Sequence, residues 1–252
     1  MSERATYPAG VPCWVDNLVP DAAKSIAFYG ELFGWEFDGP GPGDYYVAKV
    51  RGRDVAGLAQ APPGVSPGWN TYVSVTSADD TARAAGRVIV EPFDVPPAGR
   101  LAALGDPAGA VIGVWEPRER LGCQLVNQAS AYAMSALHTP DPDGAARYYH
   151  DVFGWDVEEF APGVSLFRLP GYVGGEPAQP VPRDVVAVLA RDEGPARWSV
   201  DFWAGDADAL AERTPEIGGS VVVPPFDSIP TRQAVLADPD GAVFSVTTAP
   251  RG

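Results

Sequence analysis

The chain carries a long internal repeat. Residues 20–35 read PDAAKSIAFYGELFGW and residues 140–155 read PDPDGAARYYHDVFGW, the same pattern 120 positions later. A second echo closes each half: DPAGAVI at 106–112 and DPDGAVF at 238–244. Repetition over such a period means one structural unit built twice and packed against its own copy, which constrains the architecture before any single residue is considered. The polar stretch EPRERLG at 116–122 reads as a linker. Residues 1–122 are therefore expected to form the first module with its linker, and residues 123–252 the second.

Within the first module, Val11–Val19 has no charge except Asp16 and reads as a strand. Asp21 stands where a helix N-cap belongs, Ile26, Phe28, Tyr29, Leu32 and Phe33 recur at helical spacing, and Gly34 supplies a stop. Strand-like segments follow at Tyr45–Val50, Val55–Ala59, Trp69–Val75, Arg100–Leu104 and Val111–Trp115, with a short helix over Ala78–Ala85. The second module predicts the same order: Ala131–Leu137, a helix over Asp141–Val152, Leu166–Leu169, Val185–Leu189, Arg197–Ala204, a helix over Asp206–Glu216, and Gln233–Val246. Each module reads as βαβββ, giving an α+β protein. A sheet with one bare face needs a cover, so the two modules are expected to pair face to face around a shared cavity.

Composition narrows the partners. A net charge of −15 opposes binding to nucleic acid or an anionic membrane, because either needs a basic face. No apolar run reaches the ~18 residues of a membrane span and no signal peptide opens the sequence, so a cytoplasmic protein is expected. Cys13 and Cys123 form no CxxC or zinc spacing and read as a buried pair of inert thiols. Nucleophile elbows, phosphate-binding glycine loops and dinucleotide fingerprints are all missing from the sequence.

The order strand, PD, helix with FY or YY, then LFGW or VFGW, closing on DPxG and an apolar strand, resembles the vicinal oxygen chelate superfamily. That group includes glyoxalase I, extradiol dioxygenases and bleomycin-resistance proteins. The chain looks most like the two-module, glyoxalase-like "hydroxylase" proteins of actinobacteria. In the metal-dependent members a first-strand ligand, usually His, lies seven residues before the Asp that starts the helix. A last-strand ligand, usually Glu, lies seven residues after the Asp of the DPxG turn. The resemblance maps these positions to Trp14 and Met134, and to Gly113 and Ser245. Trp, Met, Gly and Ser do not build a site for a hard or borderline divalent cation, which needs imidazole and carboxylate donors. A slip of one residue offers Cys13 or Val15, and Ser135 or Ala133, with the same result. No metal and no other cofactor is expected.

A cavity without metal is then expected to hold an organic molecule. Strand alternation places Trp14, Asp16 and Leu18 on one face, and Met134, Ala136 and His138 at the equivalent positions. Trp14 and Met134 either wall a binding pocket or fill the vacated metal position as core. Asp16 and His138 are candidate acid and base if the first strands approach across the cavity; otherwise they are structural. Trp69, Tyr72, Trp198, Phe202 and Ser245 are further candidate ligand contacts. Arg100 and Arg232, in corresponding places, either clamp an anionic group or form ion pairs. The loop 171–183 has no counterpart in the first module and reads as a lid or a passive insertion. The expected function is a metal-independent binding protein that sequesters a hydrophobic or aromatic metabolite or antibiotic. The alternative is a metal-free enzyme of secondary metabolism (a cyclase, isomerase or hydrolyase) using Asp16 and His138. A monomer suffices for this pairing, and a homodimer is left open.

Overall fold

A computed structural model describes residues 3–62, 64–174, 183–228 and 231–248. Its first half runs β1 (Pro12–Val19), α1 (Ala22–Phe33), β2 (Glu36–Gly41), β3 (Tyr45–Val50), β4 (Arg53–Gln60), β5 (Gly68–Ser74), α2 (Ala78–Ala85), β6 (Val88–Val95), β7 (Gly99–Gly105) and β8 (Val111–Pro117). The second half repeats it as β9 (Tyr132–Thr139), α3 (Pro142–Phe153), β10 (Asp156–Ala161), β11 (Val164–Arg168), β12 (Val185–Arg191), β13 (Arg197–Ala204), α4 (Ala207–Glu216), β14 (Ser220–Ser228), β15 (Thr231–Ala237) and β16 (Val243–Thr248). Both long helices start and stop where the repeat predicts. Asp21 and Asp141 accept the amide N–H of the third residue on, while Gly34 and Gly154 turn the chain out in the left-handed conformation.

Each half forms one eight-stranded sheet, ordered β2-β3-β4-β1-β5-β8-β7-β6 and β10-β11-β12-β9-β13-β16-β15-β14. The α+β plan of two repeated modules is thus the observed one, with a finer grain. Each half is two βαβββ units side by side, joined through the antiparallel pairs β1–β5 and β9–β13. Four strands had no counterpart in the sequence reading: β2, β6, β10 and β14. All are outer edges of a sheet. Their residues are mostly exposed, and three of the four carry proline, as edge strands that resist further pairing do.

The halves meet through the apolar faces of their sheets, with the helices between them. Here α1 touches α4, α2 touches α3, and β5 crosses β13. Phe28, Phe33 and Trp35 of the first half join Phe202 and Phe244 of the second in one buried cluster. Two polar bridges cross this contact in mirrored positions: Tyr29 Oη to Asp238 Oδ2 at 3.1 Å, and Tyr149 Oη to Asp106 Oδ2 at 3.4 Å. The DPxG aspartates also cap their own turns through backbone amides. This contact uses the faces opposite to Trp14 and Met134. Each sheet therefore keeps a polar face of its own, and a cavity lined from both halves, by Arg4, Tyr7 and Pro12 with Tyr132, Met134 and Tyr172, lies between the modules.

Candidate functional site

On the first sheet, Asp16 lies at the centre of a hydrogen-bond cluster. Its carboxylate accepts from Asn70 Nδ2 (2.9 Å), Tyr72 Oη (3.2 Å) and Tyr45 Oη (3.2 Å). Burial pushes its pKa up to about 6, against the opposing pull of those three donors. Trp14 Nε1 donates to Tyr45 Oη at 2.7 Å, and the Arg120 guanidinium covers the Trp14 ring at 5.3 Å. Arg120 is in turn fixed by Asp54 at 2.6 Å.

Two glycines make this filling possible. An added Cβ on Gly57 would lie 1.8 Å from Tyr45 Oη, and one on Gly113 would lie 2.1 Å from the Tyr72 ring. Trp14, at a position the resemblance assigns to a ligand, thus belongs to an aromatic plug for which Gly113 leaves room. Trp14, Asp16 and Tyr72 are all buried.

The same face of the second sheet is more open. Pairing register sets Met134 (β9), Asp201 (β13) and Ser245 (β16) side by side, and all three are partly exposed. The position held by the plugging Tyr72 in the first sheet is taken by Asp201, and that of Gly113 by Ser245. Burial pushes the Asp201 carboxyl up to about 6, while a hydrogen bond from Ser245 pulls the other way. Two residues along the strands, on the same face, Trp203 pairs with Thr247, and both are buried. Trp203 Nε1 and Thr247 Oγ1 have no hydrogen-bond partner among the described residues. Such unpaired buried groups cost about 1–3 kcal/mol each. His138 lies at the far end of β9, its Nε2 3.0 Å from Ser199 Oγ. Burial first, and Arg197 second, lower its pKa.

Several sequence candidates have other work. Trp69, Trp198 and Phe202 sit on the apolar faces: Trp69 donates to Tyr29 Oη, Trp198 donates to Tyr149 Oη, and Phe202 packs 4.8 Å from Trp69. They hold the halves together, because parity on β5 and β13 turns them away from Tyr72 and Asp201. Arg100 is tied to Asp79 and Asp94, and Arg232 to Asp208 and Asp227. Both form ion pairs, which leaves no support for an anion clamp. Asp16 and His138 do not meet: Asp16 bonds to Tyr45, Asn70 and Tyr72 of the first half, and His138 faces Ser199 and Asp192 of the second. Cys13 and Cys123 are free and buried, and burial raises both thiol pKa values. In the loop 171–183, residues 175–182 fall outside the described residues.

Sequence reasoning missed Tyr45, Asn70, Asp201, Trp203 and Thr247. Aligning the second halves of the two repeats, with Trp69 against Trp198, would have set Asp201 opposite Tyr72 and exposed the contrast.

The family's metal does not fit these donors. At the positions the resemblance assigns to ligands the first sheet offers an indole and a glycine and the second a thioether and a hydroxyl, with the Asp201 carboxylate beside them. No group of three or more His, Cys, Asp or Glu side chains that could hold a metal ion occurs among the described residues.

A family model described as a glyoxalase-like domain matches residues 134–247, the second sheet almost end to end. The Mycobacterium tuberculosis protein named "Putative glyoxylase CFP32" is 36% identical over 98% of this chain and 97% of its own length. The anthracycline biosynthesis protein DnrV of Streptomyces peucetius is 33% identical over 98% of this chain and 96% of its own. Among solved structures, the Mn(II)-bound glyoxalase of Novosphingobium aromaticivorans superposes with a TM-score of 0.67 at 17% identity, covering 96% of this chain and 83% of that one. The 2,3-dioxygenase LapB of Pseudomonas sp. KL28 gives 0.67 at 12%, covering 98% and 94%. The fold and polar faces define a two-module protein of the vicinal oxygen chelate superfamily. This chain belongs to its glyoxalase-like family. No helix among the described residues is long and apolar enough to cross a membrane.

Proposed function

We propose that this protein binds a hydrophobic, fused-ring aromatic metabolite on the open face of its second sheet, without a metal ion. The observation that carries this reading is the donor set: Trp14, Gly113, Met134 and Ser245 stand where ligating His and Glu would be needed. The first sheet has its polar face packed with its own aromatic rings, whereas the second leaves Met134, Ser199, Asp201 and Ser245 partly exposed. Thioether, small hydroxyl and single carboxyl groups suit a flat, partly oxygenated molecule. The likeness to DnrV, named for anthracycline biosynthesis, fits a ligand of secondary metabolism.

Native mass spectrometry with elemental analysis, on protein purified without chelator, tests this directly. Metal-free protein that takes up one fused-ring aromatic per chain is expected. Stoichiometric iron, zinc, nickel or manganese would sink it.

One observation favours a second reading, a metal-free enzyme acting on such a metabolite. Asp201 holds its proton to a pKa of about 6 on an accessible face, where a carboxyl can give and take a proton near neutrality. In that reading Asp201 replaces Asp16 and His138, which the fold keeps on separate sheets. Asp201→Asn would then abolish turnover of a bound metabolite while leaving its affinity intact. Unchanged turnover in that variant would dismiss the enzyme reading.

A further inference from the structure

The chain has seven tryptophans. Six of their indole N–H groups donate to a protein oxygen: Trp14 to Tyr45, Trp35 to Ser130, Trp69 to Tyr29, Trp115 to Arg120, Trp155 to Gly10 and Trp198 to Tyr149, at 2.7–3.1 Å. Trp203 alone has no such acceptor among the described residues. It is 9% exposed, and its neighbour across the β13–β16 pairing, Thr247, is 6% exposed with an equally unpartnered hydroxyl. Neither residue belongs to the buried apolar clusters that join the halves.

The repeat supplies an internal control. The pair equivalent to Trp203 and Thr247 in the first sheet is Ser74 and Trp115, in register on β5 and β8. There both groups are satisfied: Ser74 Oγ donates to Tyr7 O at 3.2 Å and Trp115 Nε1 to Arg120 O at 2.8 Å. The unpaired donors are thus peculiar to the sheet whose polar face is open.

We infer that Trp203 Nε1 and Thr247 Oγ1 form an oxygen-binding subsite that grips a carbonyl oxygen of an aromatic ketone or quinone. This rests on the ligand-binding reading above and adds the ligand's chemistry. Adjacent strands lie about 4.8 Å apart, so an N–H and an O–H from paired residues can converge on one oxygen with two lone pairs. Asp201, two residues before Trp203 on the same face, disfavours a carboxylate or phosphate there, as does the net charge of −15. A neutral carbonyl remains. Asp201 and Ser245, beside this pair, can accept from a phenolic hydroxyl. A hydroxyquinone presents both groups on one flat frame.

The test uses the full chain with two probes, 1,8-dihydroxyanthraquinone and anthracene, the second lacking any oxygen. Trp203→Phe removes the N–H and keeps an aromatic ring; Thr247→Val removes the hydroxyl at constant shape. Each variant is expected to weaken the quinone about tenfold and leave anthracene unchanged. In the wild type, the Trp203 indole proton should move downfield in the NMR spectrum with the quinone and not with anthracene. That readout decides the matter if a variant fails to fold. Equal losses for both probes, no loss for either, or an unmoved indole proton would overturn the subsite and leave the binding reading standing. Binding of anthracene alone would do the same. A wild type that binds neither probe would instead overturn the fused-ring reading itself, and the subsite with it.

Discussion

The ring of Tyr72 lies where a side chain on Gly113 would have to be: a Cβ there would stand 2.1 Å from the ring. The resemblance to the metal-dependent members assigns Gly113 to the place of their last-strand ligand, usually Glu. The aromatic plug therefore fits only because position 113 carries no side chain.

Gly113→Ala should then overpack the first sheet and lower stability by about 1–3 kcal/mol. The Tyr72 ring is buried and hydrogen-bonded to Asp16, so it cannot swing away freely. A double-mutant cycle with Tyr72→Ala, followed by urea unfolding, should show much of the Gly113→Ala penalty relieved. An additive cycle would contradict the packing argument.

Asp16 gives stability a pH dependence whose sign can be worked out. Its folded pKa of about 6 lies above the ordinary 3.8 because burial disfavours the charge. The folded state therefore binds the proton more tightly, so this contribution is fully present below pH ~4 and lost as pH rises through 6. The difference corresponds to about 3 kcal/mol. The stability of Asp16→Asn relative to wild type should accordingly rise between pH 4 and pH 8, most steeply from 4 to 6. A pH-independent difference in chemical denaturation would refute it.

The two bridges across the halves should differ in strength. Tyr29 Oη accepts from Trp69 and Asn17 and donates to Asp238, while Tyr149 Oη accepts from Trp198 and reaches Asp106 only at 3.4 Å. Tyr29→Phe orphans more buried partners and should cost more than Tyr149→Phe, each about 1–3 kcal/mol. Thermal unfolding of both variants checks the order. Because one apolar cluster spans both halves, a single transition is expected in each case.

Ser245 is predicted to hold down the pKa of Asp201, because its hydrogen bond favours the charged carboxylate against the dominant effect of burial. Ser245→Ala should raise the Asp201 midpoint above about 6 in a carboxyl carbon NMR titration. A fall would mean that the hydroxyl serves the neutral form instead.

By itself the sequence determined the repeat, the helices with their Asp and Gly caps, most of the inner strands and the family. Each of these rests on local chemistry or on periodicity, which a linear chain displays openly. It also revealed that the family's ligand positions are unconventional. The edge strands β2, β6, β10 and β14 were not legible, because exposed strands interrupted by proline lack an apolar alternation. Only tertiary structure decided which face each aromatic takes, since a single step in strand parity separates Trp69 and Phe202 in the core from Tyr72 and Trp203 on the polar faces. It also decided that Asp16 and His138 stay apart, and that one polar face is plugged while the other is open. Those outcomes depend on strand pairing between distant segments and on space left by Gly57 and Gly113, which no local pattern records.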